Sequence, residues 1–296
     1  MSDTNDLLKR VRKIEIKTRG LSKNIFAGEY HSAFKGRGMA FSEVREYQYG
    51  DDIRNIDWNV TARFNHPYIK IYEEERELTV MLLIDVSNSR FFGSQSQLKK
   101  NMITEISAVL AFSAIQNNDK IGVIFFSDII EKFIPPKKGK SHILRIIREL
   151  ITFNPERKET NIGEAMRFLT NAIKKRCTAF VISDFMDTDD QLQPHFEDAL
   201  KIGNRKHDVI SLQVYDERET QLPDVGLLQL RDAETGKIQW VDTSRKQVRD
   251  EYQHWWKTSS AIIDQTMAKA GVDFERIRTD QDYVKPLMKL FKKRAV

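Results

Sequence analysis

The residues best placed to do chemistry follow the first long apolar run of the sequence. That run, residues 79–84, ends in the string Asp85-Val86-Ser87-Asn88-Ser89. Asp85, Ser87 and Ser89 alternate across a turn just past the predicted strand, so their short oxygen-bearing side chains can converge on one point. The string alone is a weak signal, and its position directly after a strand buried on both faces makes it informative.

Two further oxygen-bearing residues are predicted at the same edge of the sheet. Asp184 follows an apolar run at 178–182, and Thr160 lies at the polar start of the helix before that run. Ligands of doubly wound sheets bind beyond the carboxyl ends of the strands, where the strand order reverses. With the common order 3-2-1-4-5-6, the strands that end at Asp85 and Asp184 are neighbours. We therefore expect one cluster made of Asp85, Ser87, Ser89, Thr160 and Asp184.

Two carboxylates and three hydroxyls make an all-oxygen cluster, which suits Mg²⁺ or Mn²⁺ and not zinc, whose ligands are mainly His and Cys. Without a cation the two carboxylates would repel one another and shift their pKa values. Mg²⁺ keeps water or outside ligands when the protein supplies few oxygens, so we expect an open site. The alternative is structural: the serines cap the next helix, and the aspartates accept hydrogen bonds from loop amides.

The rest of the sequence alternates apolar runs typical of buried strands with amphipathic helices. The predicted strands lie near 79–84, 121–126, 178–182, 209–215 and 272–276, and the predicted helices near 98–115, 141–152, 161–175, 191–203, 244–269 and 281–293. This alternation predicts an α/β fold with a doubly wound, mostly parallel sheet. A predicted β-hairpin at about 227–242 interrupts the alternation. Gly271 is the expected end of the long helix predicted near 244–269.

Composition is typical of a soluble globular protein. The chain has 296 residues, of which 40% are hydrophobic and 31% charged, and its 48 basic and 43 acidic residues give a net charge of only +5. The polar start lacks the profile of a signal peptide, and no apolar run approaches the roughly 20 residues that span a membrane. A single cysteine, Cys177, excludes an intrachain disulfide. We expect a cytoplasmic protein.

Residues 1–78 differ from the sheet domain predicted at 79–296. They begin with a predicted helix near 5–19 and continue from about 25 as a region rich in aromatic and charged residues and glycine, without a long periodic run. No flexible linker separates this region from the first predicted strand, so we expect the two to pack together. The side chains expected to form a charge network that docks the region are Arg45, Glu46, Asp51, Asp52, Arg54, Asp57 and Arg63.

The cluster of Asp85, Ser87, Ser89, Thr160 and Asp184 resembles the metal-ion-dependent adhesion site of the von Willebrand factor A superfamily, with all five positions present. The resemblance implies a Rossmann-type fold, one bound Mg²⁺ or Mn²⁺, and a further metal ligand from a Glu or Asp of a protein partner. In that superfamily the Thr and the second Asp trade direct for water-mediated coordination as affinity changes. The resemblance assigns this role to Thr160 and Asp184.

A second resemblance rests on a long charged signature. It consists of Gly36-Arg37-Gly38-Met39-Ala40-Phe41, Val44-Arg45-Glu46-Tyr47, Gly50-Asp51-Asp52-Ile53-Arg54-Asn55-Ile56-Asp57-Trp58 and Ala62-Arg63. The signature resembles that of a bacterial branch named only as domain of unknown function fifty-eight, and the match runs from about residue 25 to the end. Members resemble partners of MoxR-type AAA+ ATPases. The resemblance implies an accessory or chaperone-like protein without catalytic activity.

Two other functions stay open on the sequence. A Mg²⁺-dependent phosphohydrolase also places an Asp at a strand end, but the haloacid-dehalogenase type needs a second Asp two residues later, where this chain has Ser87. Nucleic-acid binding through the basic N-terminal helix would depend steeply on salt. For the tandem Trp255-Trp256 in the long predicted helix, core packing is the favoured interpretation. An exposed patch that binds a partner is the alternative.

Overall fold

The computed structural model describes residues 11–15, 17–18, 40–73, 78–93, 98–189, 191–231 and 236–295. The chain forms two compact units: Lys35–Leu78 is one, and the residues up to Phe34 together with Thr79–Val296 are the other. The start of the first predicted helix, residues 36–39 of the charged signature and most of the turn of the predicted hairpin lie outside the described residues.

In its described residues the smaller unit contains an antiparallel pair of strands, one short α-helix and a 3-10 helix at Ile53–Asn55. The strands and the α-helix are β1 (Ala40–Glu46), α1 (Trp58–Phe64) and β2 (Tyr68–Glu73). Asp57 caps α1, because its side chain accepts hydrogen bonds from the backbone of Asn59 and Val60. The helix ends at Asn65, which adopts the left-handed conformation with φ 55°.

The larger unit alternates strands with helices. Its strands are β3 (Thr79–Asp85), β4 (Lys120–Phe126), β5 (Ile130–Lys137), β6 (Thr178–Ser183), β7 (Asp208–Tyr215), β8 (Leu227–Arg231), β9 (Ile238–Asp242) and β10 (Asp273–Arg278). Its helices are α2 (Lys99–Gln116), α3 (Lys140–Thr152), α4 (Ile162–Ala172), α5 (Glu197–Lys206), α6 (Glu217–Thr220), α7 (Lys246–Ala270) and α8 (Val284–Ala295). The predicted alternation of strands and helices is confirmed.

A six-stranded sheet in the order β10-β7-β6-β3-β4-β5 forms the centre of this unit. Numbered by their occurrence within the sheet, the strands follow the expected order 3-2-1-4-5-6. β3 pairs in parallel with both β4 and β6, so the strand order reverses between β3 and β6. Ligand sites of doubly wound sheets lie beyond the carboxyl ends of such a strand pair.

Strand β5 is absent from the prediction. It runs antiparallel to β4 at one edge of the sheet and contains Pro135 and Pro136. Proline cannot donate a hydrogen bond to a neighbouring strand, but it is tolerated in edge strands. The two prolines therefore argue against a strand in the sequence, although they allow one at the edge of the sheet. Only Ile134 of this strand is fully buried, which leaves no continuous apolar run to detect.

Helices cover both faces of the sheet. Met81 and Leu83 of β3 pack in a buried cluster with residues of α4, α5 and α7. Their neighbours Val80 and Leu82 are fully buried as well, and α2 contacts β3, β4 and β7. Because successive side chains of a strand point to opposite faces, β3 is enclosed on both sides. Its buried backbone fixes the position of the residue at its end.

The predicted hairpin and the predicted end of the long helix are both present. β8 and β9 pair antiparallel, and α7 ends at Gly271, which has φ 64°. The described helical residues 11–15 and 17–18 belong to the larger unit, since Glu15 pairs with Lys140 and Lys17 with Glu105. The predicted domain boundary at residue 78 stays a prediction. Packing of residues 40–73 on the sheet stays a prediction.

Candidate metal centre

Asp85 is the last residue of β3 and is only 3% exposed. Its Oδ1 accepts the backbone N–H of Ser87 at 2.9 Å, and its Oδ2 accepts the Ser183 hydroxyl at 2.6 Å. The hydroxyl oxygens of Ser87 and Ser89 lie 3.1 Å apart. The string after β3 therefore gathers one carboxylate and two hydroxyls in a small buried volume.

Asp184 follows β6, the neighbour of β3, and is also buried. Its Oδ1 accepts the backbone N–H of Met186 at 3.3 Å, and the Ser89 hydroxyl donates to the same carboxylate. Its backbone oxygen accepts the Gln213 side-chain amide at 2.8 Å, which ties the turn to β7. Ser89 thus connects the loop after β3 to the carboxylate after β6.

The Thr160 segment is anchored to the same edge through its neighbours. The backbone N–H of Asn88 donates to the Lys158 oxygen at 3.2 Å. On the other side of Thr160, the backbone N–H of Ile162 donates to the Asp187 carboxylate at 2.9 Å. Thr160 itself is half-buried between these two anchors. Its segment therefore bridges the loops that follow β3 and β6.

The two aspartates have opposite pKa shifts. Burial, and then the charge of Asp184, raises the pKa of Asp85 to about 6. Burial also acts to raise the pKa of Asp184, but the Lys99 ammonium and the hydrogen bonds from Lys99, Ser89 and Met186 lower it overall. Asp184 is thus stabilised as a carboxylate, whereas Asp85 is not compensated to the same degree.

Lys99 is a residue of this centre that the sequence analysis missed. It is the first residue of α2, and its ammonium lies 2.9 Å from Asp184 Oδ2 and 2.6 Å from Glu219 Oε1. Burial acts to lower the pKa of Lys99, but the two carboxylates raise it overall. Burial raises the pKa of Glu219 despite the nearby ammonium. No sequence signal distinguishes Lys99 from Lys100, because both are lysines at the start of one helix.

A cavity of about 10 Å³ lies among these side chains. It is lined by Asp85, Ser89, Arg90, Lys99, Ile103, Ser183, Asp184 and Val214. A volume of this size holds about one water-sized species. Its carboxylate and hydroxyl oxygens are the donors that Mg²⁺ and Mn²⁺ prefer, so Asp85, Ser89 and Asp184 fit one small divalent cation. The predicted ligands Ser87 and Thr160 do not line this cavity, and a cation there would meet the positive charges of Lys99 and Arg90. Across the described part of the chain, no group of three or more His, Cys, Asp or Glu forms a metal site.

The structure separates the two tryptophans. Trp256 is 9% exposed, and its ring centroid lies 5.9 Å from that of Tyr215. It packs in the core, as the favoured interpretation expects, so the alternative that Trp256 binds a partner is wrong. Trp255 is 39% exposed. It lines a surface groove of about 490 Å³ together with Leu192, Asp250, Glu251, His254 and Thr258.

The described contacts of the seven charged residues that are predicted to form a network are pairs within residues 40–73. Arg45 forms a two-pronged pair with Asp51, at 2.8 and 2.9 Å. Arg54 forms another with Asp52, two residues away. Asp57 caps α1, and its Oδ2 lies 3.5 Å from the Lys70 ammonium. Glu46 accepts the Tyr68 hydroxyl at 3.4 Å, and Arg63 is exposed. Among the described residues these contacts are separate pairs, and the network that docks the region stays a prediction.

Comparison with known proteins decides the family. Residues 43–262, well over half of the chain, match the family described as protein of unknown function DUF58. The chain belongs to the DUF58 family. This match includes the end of β3, the Thr160 segment, Asp184, Lys99 and Glu219, so the whole candidate centre lies in the DUF58 region.

Similar proteins carry little functional information. An uncharacterized protein of Mycobacterium tuberculosis is 26% identical over 289 residues, which cover 97% of this chain and 89% of that protein. A solved aerotolerance-related membrane protein from Bacteroides fragilis is 17% identical, with a TM-score of 0.50 over 74% of this chain and 98% of that one. A conserved hypothetical protein BatB from Bacteroides thetaiotaomicron is 18% identical, covering 74% and 98% with a TM-score of 0.48. The Bacteroides fragilis protein shares the fold.

In the described residues of this DUF58 chain, no helix has both the length and the apolar character needed to cross a membrane.

Proposed function

We propose that this DUF58 protein binds one Mg²⁺ or Mn²⁺ at the edge of its sheet and uses it to hold a protein partner. The ligands we assign are Asp85, Ser87, Ser89, Thr160 and Asp184. The observation that carries the proposal is the burial of two carboxylates at the ends of neighbouring parallel strands, with two serine hydroxyls between them. A divalent cation would relieve the repulsion that helps raise the pKa of Asp85.

Each residue has a distinct task in this proposal. Asp85 supplies charge from a rigid buried strand, and its hydrogen bond from Ser87 orients the carboxylate. Ser89 joins the two loops through its hydroxyl. A bound cation would have a coordination position open to a carboxylate of a partner, because Mg²⁺ keeps water or outside ligands where the protein supplies few oxygens. The chain acts as a binding protein and not as an enzyme.

The partner we propose is a MoxR-type AAA+ ATPase, or a client protein that such an ATPase remodels. This choice rests on the resemblance of the charged signature, and membership of DUF58 supports it only at the level of the family. We place the complex in the cytoplasm, where the protein would serve as an accessory or chaperone-like factor during assembly or maturation of clients.

Titration calorimetry with Mg²⁺ and Mn²⁺ tests the metal site. Wild type should bind one ion, and Asp85→Ala should lose binding because the better-buried carboxylate is gone. Asp198→Ala is the matched control: it removes the same charge from α5, where the side chain is 94% exposed. Equal binding by wild type and Asp85→Ala would remove the metal assignment.

Co-purification with the ATPase and its client, with and without chelator, tests the role of the metal in partner binding. Asp85→Ala and Thr160→Ala should both weaken the complex, and circular dichroism should show that each variant stays folded. Full affinity of folded Asp85→Ala would make the centre structural. The partner would then be sought at the groove around Trp255.

A screen against phosphomonoesters and nucleotides tests the absence of catalysis. We expect no turnover, because Ser87 stands where a haloacid-dehalogenase-type phosphatase needs its second Asp. Turnover that disappears in Asp85→Ala would overturn the proposal in favour of a Mg²⁺-dependent phosphohydrolase.

A further inference from the structure

Lys99 is an unusual residue for the start of a buried helix. Its side chain is 2% exposed, so the ammonium has lost nearly all of its water. Removing an ammonium from water is costly unless it is paired and hydrogen-bonded. The helix N-terminus adds to the cost, because the unpaired N–H groups there make it electropositive. A lysine at this position therefore depends on the carboxylates that meet it.

Two carboxylates from separate elements share the Lys99 ammonium. Asp184, at the end of β6, lies 2.9 Å away, and Glu219, in α6 after β7, lies 2.6 Å away. Asp184 thus has one oxygen committed to Lys99, while the other accepts the N–H of Met186. An incoming cation must compete with a cation that the protein already supplies.

Glu219 has its position fixed by a network outside the metal loops. Its second oxygen accepts the backbone N–H of Asp216 at 2.8 Å, as part of a capping box at the start of α6. Asp216 in turn accepts the Thr279 hydroxyl at 2.7 Å, which ties the cap to the end of β10. The position of the Glu219 carboxylate is therefore set from the β7 and β10 side of the sheet, independently of the loops after β3 and β6.

We propose that Lys99 is a positioning residue of the metal centre: it holds the Asp184 carboxylate in competition with the cation, and Glu219 moderates that competition. The proposal rests on the proposed function, since it concerns the affinity of the same site. The negative charge of Glu219 offsets part of the charge of Lys99, so the two residues act on the metal in opposite directions. With Lys99 in place, Asp184 gives less of its charge to the metal, and more of the metal's charge is left for an outside carboxylate.

Titration calorimetry of the full chain with Mg²⁺ and Mn²⁺ tests this proposal. Lys99→Met removes the competing charge, and we expect the metal to bind roughly tenfold or more tightly. Glu219→Gln leaves the whole charge of Lys99 facing Asp184, and we expect binding to weaken by roughly threefold to tenfold. Lys99→Arg keeps the charge and should stay closer to wild type than Lys99→Met does.

Lys100→Met is the matched control, because it removes a lysine charge from the next residue of α2, whose ammonium lies 5.5 Å from the Phe91 ring. It should leave metal affinity unchanged. If the buried triad of Lys99, Asp184 and Glu219 only supported the fold, both Lys99→Met and Glu219→Gln would weaken metal binding. Opposite changes in metal affinity therefore distinguish positioning from structural support. If Lys99→Met fails to fold, tighter or unchanged binding by Glu219→Gln overturns the proposal by itself.

The outcomes also separate this proposal from the function on which it rests. Metal binding by wild type with equal affinity in Lys99→Met overturns the role of Lys99 and leaves the metal site standing. Binding by Lys99→Met but not by wild type supports the proposal, because the lysine then excludes the metal altogether. No binding by either protein overturns both.

Discussion

Two parts of the molecule are rich in charged side chains, which are buried in one part and mostly exposed in the other. At the edge of the sheet, Lys99 is 2% exposed and shares its ammonium between two carboxylates that are distant in sequence. In the smaller unit, Arg54 is 86% exposed and pairs with Asp52 two residues away. Arg45 and Asp51 lie between these extremes.

Burial, and not the number of charges, decides how strongly a charged side chain is coupled to its surroundings. A buried ion pair is strongly coupled to its surroundings, and removing one partner leaves the other charge desolvated. An exposed pair is screened by water and salt and contributes little. We therefore expect substitutions of the buried charges at the sheet edge to change both the stability of the protein and its affinity for the metal. Substitutions of the exposed charges at 40–73 should change stability little.

The largest effect is expected from breaking the buried triad. In chelator, Lys99→Met should lower the free energy of unfolding by about 3–5 kcal/mol, because Asp184 and Glu219 remain close together without a counter-charge. Urea unfolding followed by circular dichroism measures this. Arg54→Met is the control from the smaller unit and should show no resolvable change. A loss for Lys99→Met as small as that for Arg54→Met would contradict the contrast between the two regions.

A smaller effect is expected from metal binding itself. At a Mg²⁺ concentration about one hundred times Kd, wild type should gain roughly 2.7 kcal/mol of stability. Asp85→Asn should lose this gain but remain at least as stable as wild type in chelator, because its repulsion with Asp184 is removed. Urea unfolding with Mg²⁺ and with chelator, for both proteins, gives the four values needed. Persistence of the Mg²⁺ gain in Asp85→Asn would argue against Asp85 as a ligand.

The fold and the strand ends were accessible from the sequence because they depend on local patterns. The run 79–84 is apolar at successive positions, as a strand covered on both faces must be, and Asp85 is the point at which this pattern breaks. The order 3-2-1-4-5-6 puts Asp85 beside Asp184 when the strand that ends at Asp184 is the fourth of the sheet, and in the structure it is the fourth because β5 precedes it. β5 was not accessible, since its prolines and partial exposure remove the same pattern.

The partners of the site residues were not accessible, because they are set by tertiary packing. Lys99 and Glu219 are 120 positions apart, and their contact depends on where α2 and α6 lie over the sheet. Trp255 and Trp256 show the same limit within one helix, since adjacent residues face different directions. In the charged signature, the described ion pairs of Arg45 and Arg54 join residues at most six positions apart, so neighbouring sequence alone could predict them.

The larger unit also buries a titratable side chain that has no carboxylate partner among its described contacts, His207. His207 is fully buried, and its Nδ1 lies 3.3 Å from Cys177 Sγ. Burial, with the charges of Lys206 and Arg176, lowers its pKa to about 4. Unlike Lys99, it is therefore kept uncharged by the fold.

The unfolded chain binds a proton to His207 at a higher pH than the folded chain does. The stability that uncharged His207 contributes is therefore fully present above about pH 6.5 and is lost as the pH falls towards 4. We expect the free energy of unfolding to fall by about 1–3 kcal/mol over this range. Urea unfolding between pH 7 and 4.5 measures this slope. His207→Gln should flatten the slope, whereas His254→Gln, at an exposed position of α7, should leave it unchanged. Equal slopes in His207→Gln and wild type would contradict the assignment.

The smallest effect is expected for the Arg45–Asp51 pair. Arg45→Gln removes both prongs of the pair, but Asp51 stays in contact with water and keeps its hydrogen bond from the backbone of Gln48. Urea unfolding should therefore show no resolvable loss of stability, and added salt should not change this result. A loss comparable to that of Lys99→Met would mean that Arg45 is coupled to more than its local partner. Such a result would favour the docking of residues 40–73 on the sheet unit that the sequence predicts, and a double variant with Asp51→Asn would then separate the local pair from that docking.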